Sequence, residues 1–96
     1  MAQTIRGYTA TKDQLGGRLA RIEGQVRGIA RMVDDDRYCI EILTQINAVR
    51  AALDKVALAL LDGHARHCLA GGGGGPTDPD EQVKELMGAV GRMISR

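Results

Sequence analysis

Two series of apolar residues decide what this chain can fold into. Leu15, Leu19, Ile22, Val26, Ile29 and Val33 recur at spacings of 4, 3, 4, 3 and 4, and Ile42, Ile46, Val49, Leu53, Val56 and Leu60 repeat the same rhythm. A helix of 3.6 residues per turn gathers each series into one stripe on one face, whereas a strand would scatter it over both. The chain has no Trp, no Phe and two Tyr. Its core must therefore come from Leu, Ile, Val, Met and Ala, which suits packed helices better than a sheet.

The punctuation between the stripes sets the element boundaries. The first ten residues read as a mobile tail, and Thr11 with Gln14 fits a capping box opening a helix over Lys12 to Val33. Asp34-Asp35-Asp36 breaks it, and Asp36 reads as the N-cap of a second helix running to about Leu69. Gly71 to Gly75 ends that helix and opens a linker over 71–77. Asp78-Pro79-Asp80-Glu81 supplies an N-cap, a Pro at the first helical position and a Glu to complete the box of a short third helix. Val83, Leu86, Met87, Val90 and Ile94 give it an apolar face. Gly24 and Gly28 read as a place of close helix packing.

The expected fold is all-α: a three-helix protomer with two long antiparallel helices and a short third one, forming a single domain over 11–96. The second helix would be roughly 45 Å long at ~1.5 Å per residue, too long for a compact monomer of this size. Sustained heptads on two such helices favour a bundle completed by a partner chain.

Charge excludes little by itself. The formal net charge is +1, but Arg6, Lys12, Arg18, Arg21, Arg27 and Arg31 face only Asp13 and Glu23 in the first 31 residues, so that segment carries +4. This hints at an anion-facing surface. No apolar run is long enough to span a membrane and no signal-peptide core opens the chain, so a cytoplasmic protein is expected, with thiols rather than a structural disulfide. No nucleophile–base–orienter set is visible, which argues against an enzyme and against a small-molecule substrate.

The stretch DGHARHC holds both histidines and one of two cysteines. His64 and Cys68 stand at i, i+4 and on a helix point the same way, as two ligands of one ion would. Alone, such a pair is more often an ordinary helix face, but Cys39 shifts the balance. It lies 25 residues before His64, roughly 37 Å along a continuous helix at ~1.5 Å per residue. Cys39 therefore cannot serve its own chain's pair, yet it can serve a neighbour's. Two copies of the second helix crossing antiparallel near Leu53 would bring Cys39 of one to His64 and Cys68 of the other, twice by symmetry. Two thiolates and one imidazole suit Cu(I). Zn²⁺ would want a fourth ligand, either water or His67, although His67 lies about 300° round the helix from His64.

The stretches RLARIEGQVRGIARMVDDDRYCIEILTQINAV and HARHC resemble the copper-sensitive operon repressor (CsoR-like) family, in particular its copper-sensing branch. The resemblance is close from Lys12 to Leu69 and looser over the third helix. It implies an all-helical transcription repressor, an antiparallel dimer and dimer of dimers, that leaves operator DNA when Cu(I) binds. It implies Cys39 from one chain and His64 and Cys68 from the other as ligands, with Tyr38 and Glu85 hydrogen-bonding around the ligand His. It also implies operator contacts at Arg18 and Lys55, with Arg21 and Arg50 as neighbours of the same kind. Nickel and cobalt sensors of the family carry an N-terminal His and a His at the position of Cys68, which this sequence lacks. Two other readings stand beside this one: a sibling sensor in which Cys39 reacts with a sulfur species or an aldehyde, and a zinc- or copper-buffering helical protein that never meets DNA.

Overall fold

A computed structural model describes residues 5–95. Its elements run in the order of a 3-10 helix (Thr9–Thr11), α1 (Lys12–Asp34), α2 (Cys39–Leu69) and α3 (Pro79–Ile94), with no strand among the described residues. The all-α, three-helix expectation is met. The chain divides into two compact units, Thr11–Leu58 and Met1–Ala10 with Ala59–Arg96.

In the first unit, α1 and the opening turns of α2 form an antiparallel hairpin. The two stripes divide the work between them. Leu15 and Ile22 on α1 and Val49 and Val56 on α2 are buried, while the alternate positions Leu19, Val26, Val33, Ile46 and Leu53 remain exposed. Each stripe thus spends every second member on the hairpin core and leaves the intervening members in water. Burying one such side chain contributes roughly 1.5–3 kcal/mol, so the uncovered line is a large unmet driving force. The expected close packing at Gly24 and Gly28 is absent within the protomer, since a Cβ on Gly28 would meet nothing within 4 Å.

Asp36 does not cap α2. It occupies the left-handed region at φ 56 and ends α1 instead. Its amide returns to the Val33 carbonyl at 3.1 Å and the Arg37 amide to the Met32 carbonyl at 2.9 Å, the paired bonds of a Schellman motif. The acidic run therefore acts as a helix stop, with Asp at the position glycine normally takes. Thr11 stands at the N-cap of α1 but its side chain makes no cap bond. It closes the 3-10 turn at φ −114, ψ 13, away from the extended geometry that aims a capping oxygen at the first amides.

In the second unit, α2 ends as the glycine run leads one to expect. Gly71 has φ +82, its amide bonds the Cys68 carbonyl at 3.0 Å, and the Gly72 amide bonds the His67 carbonyl at 2.8 Å. Asp78 has the extended N-cap conformation and Pro79 the first helical position of α3, but the Asp78 side chain makes no cap bond and Glu81 pairs with Lys84 at 3.2 Å instead of closing a box. Residues 5–10 hold a turn in which the Thr9 amide bonds the Arg6 carbonyl at 3.1 Å. Of the tail expected over residues 1–10, residues 1–4 lie outside the described residues.

A non-glycine residue at positive φ costs roughly 1 kcal/mol, so Asp36→Gly should raise stability by about that amount and the melting temperature by roughly 4–8 °C. Thermal unfolding followed by circular dichroism checks this, and an unchanged or lower midpoint would show that the Asp36 side chain compensates its strain.

Candidate metal centre and nucleic-acid interface

The last turns of α2 and the middle of α3 bring three metal-capable side chains together. His64, Cys68 and Glu85 offer ligand atoms that all lie within 4.8 Å of one another. His64 Nε2 stands 3.5 Å from Cys68 Sγ and 2.6 Å from Glu85 Oε1. The pairing of 64 with 85, and of Cys68 with Gln82 three residues earlier on α3, means that the two helix segments run antiparallel. Cys68 is buried, whereas His64 and Glu85 are each less than half exposed.

The 3.5 Å separation is the span that metal–nitrogen and metal–sulfur bonds of about 2.0–2.3 Å subtend when Nε2 and Sγ hold one ion, the arrangement in which Glu85 is a third ligand. A nitrogen that donates its proton to a carboxylate has no lone pair left for a metal. Glu85 therefore either joins the ligand set or fixes the proton on Nε2 and turns Nδ1 into the ligand atom. One wall of the centre is apolar: a cavity of about 110 Å³ adjoins His64 and Cys68 and is lined by Ala65, Leu69, Pro79, Val83 and Leu86, with Gln82 at its edge. Such a wall keeps water from a thiolate.

Sequence reasoning did not find Gln82. Its Nε2 donates to the Pro76 carbonyl at 2.9 Å and, more weakly, to the Cys68 carbonyl at 3.5 Å, tying the linker and the end of α2 to α3. Its signal was a position three residues before Glu85, on the same helix face. His67 takes no part in the centre. Its ring lies over Gly72, where a Cβ would collide with it, and its Nε2 is buried without a hydrogen-bond partner.

Cys39 and Tyr38 belong to the other unit and are not among the groups gathered at His64. Both are exposed, Tyr38 at 70%. Cys39 opens α2, and the Tyr38 carbonyl accepts its first amides from Glu41 and Ile42.

In the hairpin unit, Arg18, Arg21, Ile22 and Gln25 of α1 and Ala52 and Lys55 of α2 line an open cleft of about 360 Å³. The small side chain of Ala52 leaves room between the three cations. The ion pairs among the described residues use other bases, namely Arg27, Arg37, Arg66, Lys84 and His64. Arg50 is exposed but does not line the cleft.

Residues 11–92 match the family described as metal-sensitive transcriptional repressor. The chain belongs to that family. It is 52% identical over 90 residues to the copper-sensing transcriptional repressor RicR of Mycobacterium tuberculosis, covering 92% of this chain and 93% of that protein. Its fold is similar to the crystal structure of the copper-sensing repressor CsoR with Cu(I) from Geobacillus thermodenitrificans, with 40% identity and a TM-score of 0.74 over 97% of this chain and 93% of that one. It is also similar to the nickel-responsive transcriptional regulator InrS, with 39% identity and a TM-score of 0.71 over 85% and 91% of the two chains. Among the described residues no helix is long and apolar enough to cross a membrane.

Because the contact with Glu85 fixes the imidazole, Glu85→Gln should weaken metal binding by roughly 10–100-fold while leaving the fold intact. A competition titration against a colorimetric Cu(I) chelator reads this. Unchanged affinity would show that the carboxylate neither ligates nor orients His64.

Proposed function

We propose that this protein is a Cu(I)-responsive transcriptional repressor whose metal-free form binds operator DNA in the cytoplasm and releases it when Cu(I) binds. The observation that carries the reading is the convergence of Cys68 and His64 at 3.5 Å with Glu85 on the same imidazole. In this reading Cys68 Sγ and a ring nitrogen of His64 hold the metal from one chain, and Cys39 of a second chain completes the set. The second cysteine makes the donor set sulfur-rich, which selects Cu(I) over Ni²⁺. Glu85 and the second chain's Tyr38 are then hydrogen-bonding partners that hold the imidazole in one tautomer. The copper-sensing relatives support the choice of metal.

The exposed half-stripes supply the reason for a second chain. Leu19, Val26, Val33, Ile46 and Leu53 are the surface that an antiparallel homodimer would cover, and two dimers would pair into a tetramer. Operator contact falls to Arg18, Arg21 and Lys55, with Arg50 as an outlying phosphate contact. A cleft with three cations and no ion-pair partner among the described residues suits a backbone phosphate, and repetition over four chains builds a broad surface with no groove-reading helix.

The test is a mobility shift with a duplex selected from a random pool by the metal-free protein. The shifted complex should disappear on adding buffered Cu(I), and retention at saturation would sink the repressor mechanism. Because allosteric coupling is reciprocal, the bound duplex should weaken Cu(I) binding by the same factor. In the same assay Arg18→Ala should weaken binding and lower the salt slope, since a phosphate contact is lost. Ala52→Leu should weaken binding by filling the cleft without removing a charge. If Ala52→Leu binds as tightly as the parent, the phosphate lies outside the cleft.

A further inference from the structure

We infer that residues 5–8 form a strap that transmits changes at the metal-site helix to α1 through a backbone contact between Gly7 and Gly63, an inference that rests on the copper-repressor reading. Gly63 stands inside α2, one residue before the ligand His64. A Cβ on Gly63 would lie 2.7 Å from the Gly7 carbonyl oxygen, and a Cβ on Gly7 would lie 2.6 Å from the His64 amide nitrogen and closer still to the Gly63 carbonyl. Neither glycine has positive φ. Their requirement is therefore one of space: two bare backbones meet where no side chain fits. Glycine is among the poorest residues for a helix interior, so something other than helix formation must favour it at position 63.

The strap is itself ordered. The Arg6 amide donates to Thr9 Oγ1 at 2.7 Å and the Thr9 amide to the Arg6 carbonyl at 3.1 Å, and the following 3-10 helix (Thr9–Thr11) leads without a break into α1 at Lys12. The Arg6 guanidinium lies against Gly74, a linker residue at φ +99, and the next glycine, Gly75, borders the Glu85 carboxylate. One short segment therefore touches both the helix that carries His64 and the linker beside Glu85. A shift of the 63–64 backbone must push Gly7 or part from it. A closed turn and a 3-10 helix then pass that displacement to the helix bearing Arg18 and Arg21. Coupling of this kind needs a contiguous element with two arrangements; the docked strap is one, and its release from Gly63 is the second that the inference requires.

Gly63→Ala tests the inference, because alanine favours the helix while its methyl evicts the strap. Trypsin should cut after Arg6 at least tenfold faster in this variant than in the parent. The Cu(I)-induced rise in the dissociation constant for the selected duplex should shrink at least tenfold, with Cu(I) stoichiometry unchanged. Gly7→Ala, which places the methyl on the other side of the same contact, should reproduce both effects. Parent-like cleavage at Arg6, or a parent-sized response to Cu(I) in both variants, would overturn the strap. A parent protein that keeps its duplex in excess Cu(I) would overturn the repressor reading, and the coupling with it.

Discussion

The 2.6 Å contact between His64 Nε2 and Glu85 Oε1 is the interaction on which the rest of the site depends. It joins the closing turns of α2 to α3 and engages Nε2 of the imidazole, which lies 3.5 Å from the Cys68 thiol. Gln82 supports it from one turn away by holding the linker carbonyl of Pro76. Without that pairing α3 would be held to the end of α2 by the Gln82 bonds and the residues around an apolar cavity of about 110 Å³, and exposed Val83 and Met87 would be poor anchors. The centre is thus both a candidate ligand set and a polar link between two helices.

The second constraint is the division of each heptad stripe. One line of apolar residues closes the hairpin and the alternate line faces water, so the protomer presents a ready-made seam. The same two-fold arrangement that would cover the seam would also give a role to an exposed Cys39 next to an exposed Tyr38. Burial and ligation are then satisfied by one association. For a chain of 96 residues with no Trp and no Phe, association is a plain way to gain the core that a single copy lacks.

Much of this was legible in the residues. The 4, 3, 4 rhythm located α1 and α2, and the glycine run and Pro79 located the end of α2 and the start of α3, because periodicity and backbone freedom act locally. The i, i+4 spacing of His64 and Cys68 also survives as a real contact. The errors fell where sequence cues are ambiguous. Asp36 reads equally as an N-cap or as a left-handed stop, and only the amides returning to Met32 and Val33 distinguish the two. Thr11 and Glu81 fit a capping box by spacing, yet neither makes the bond. Gln82 and Ala52 were illegible because their roles depend on what another helix brings beside them. Gly63 is of the same kind, since its place depends on Gly7 lying against it.

The central claim is that one metal centre is built from two chains, and a mixed-subunit titration tests it most directly. Cys39→Ala and Cys68→Ala proteins, carrying different affinity tags, are each titrated alone and then as the purified mixed dimer, with bound Cu(I) measured against a competing chelator. A centre shared between chains predicts no high-affinity Cu(I) in either variant alone and one high-affinity Cu(I) per mixed dimer, since Cys39 of one subunit then meets His64 and Cys68 of the other. Full affinity in Cys39→Ala alone, or none in the mixed dimer, would contradict it.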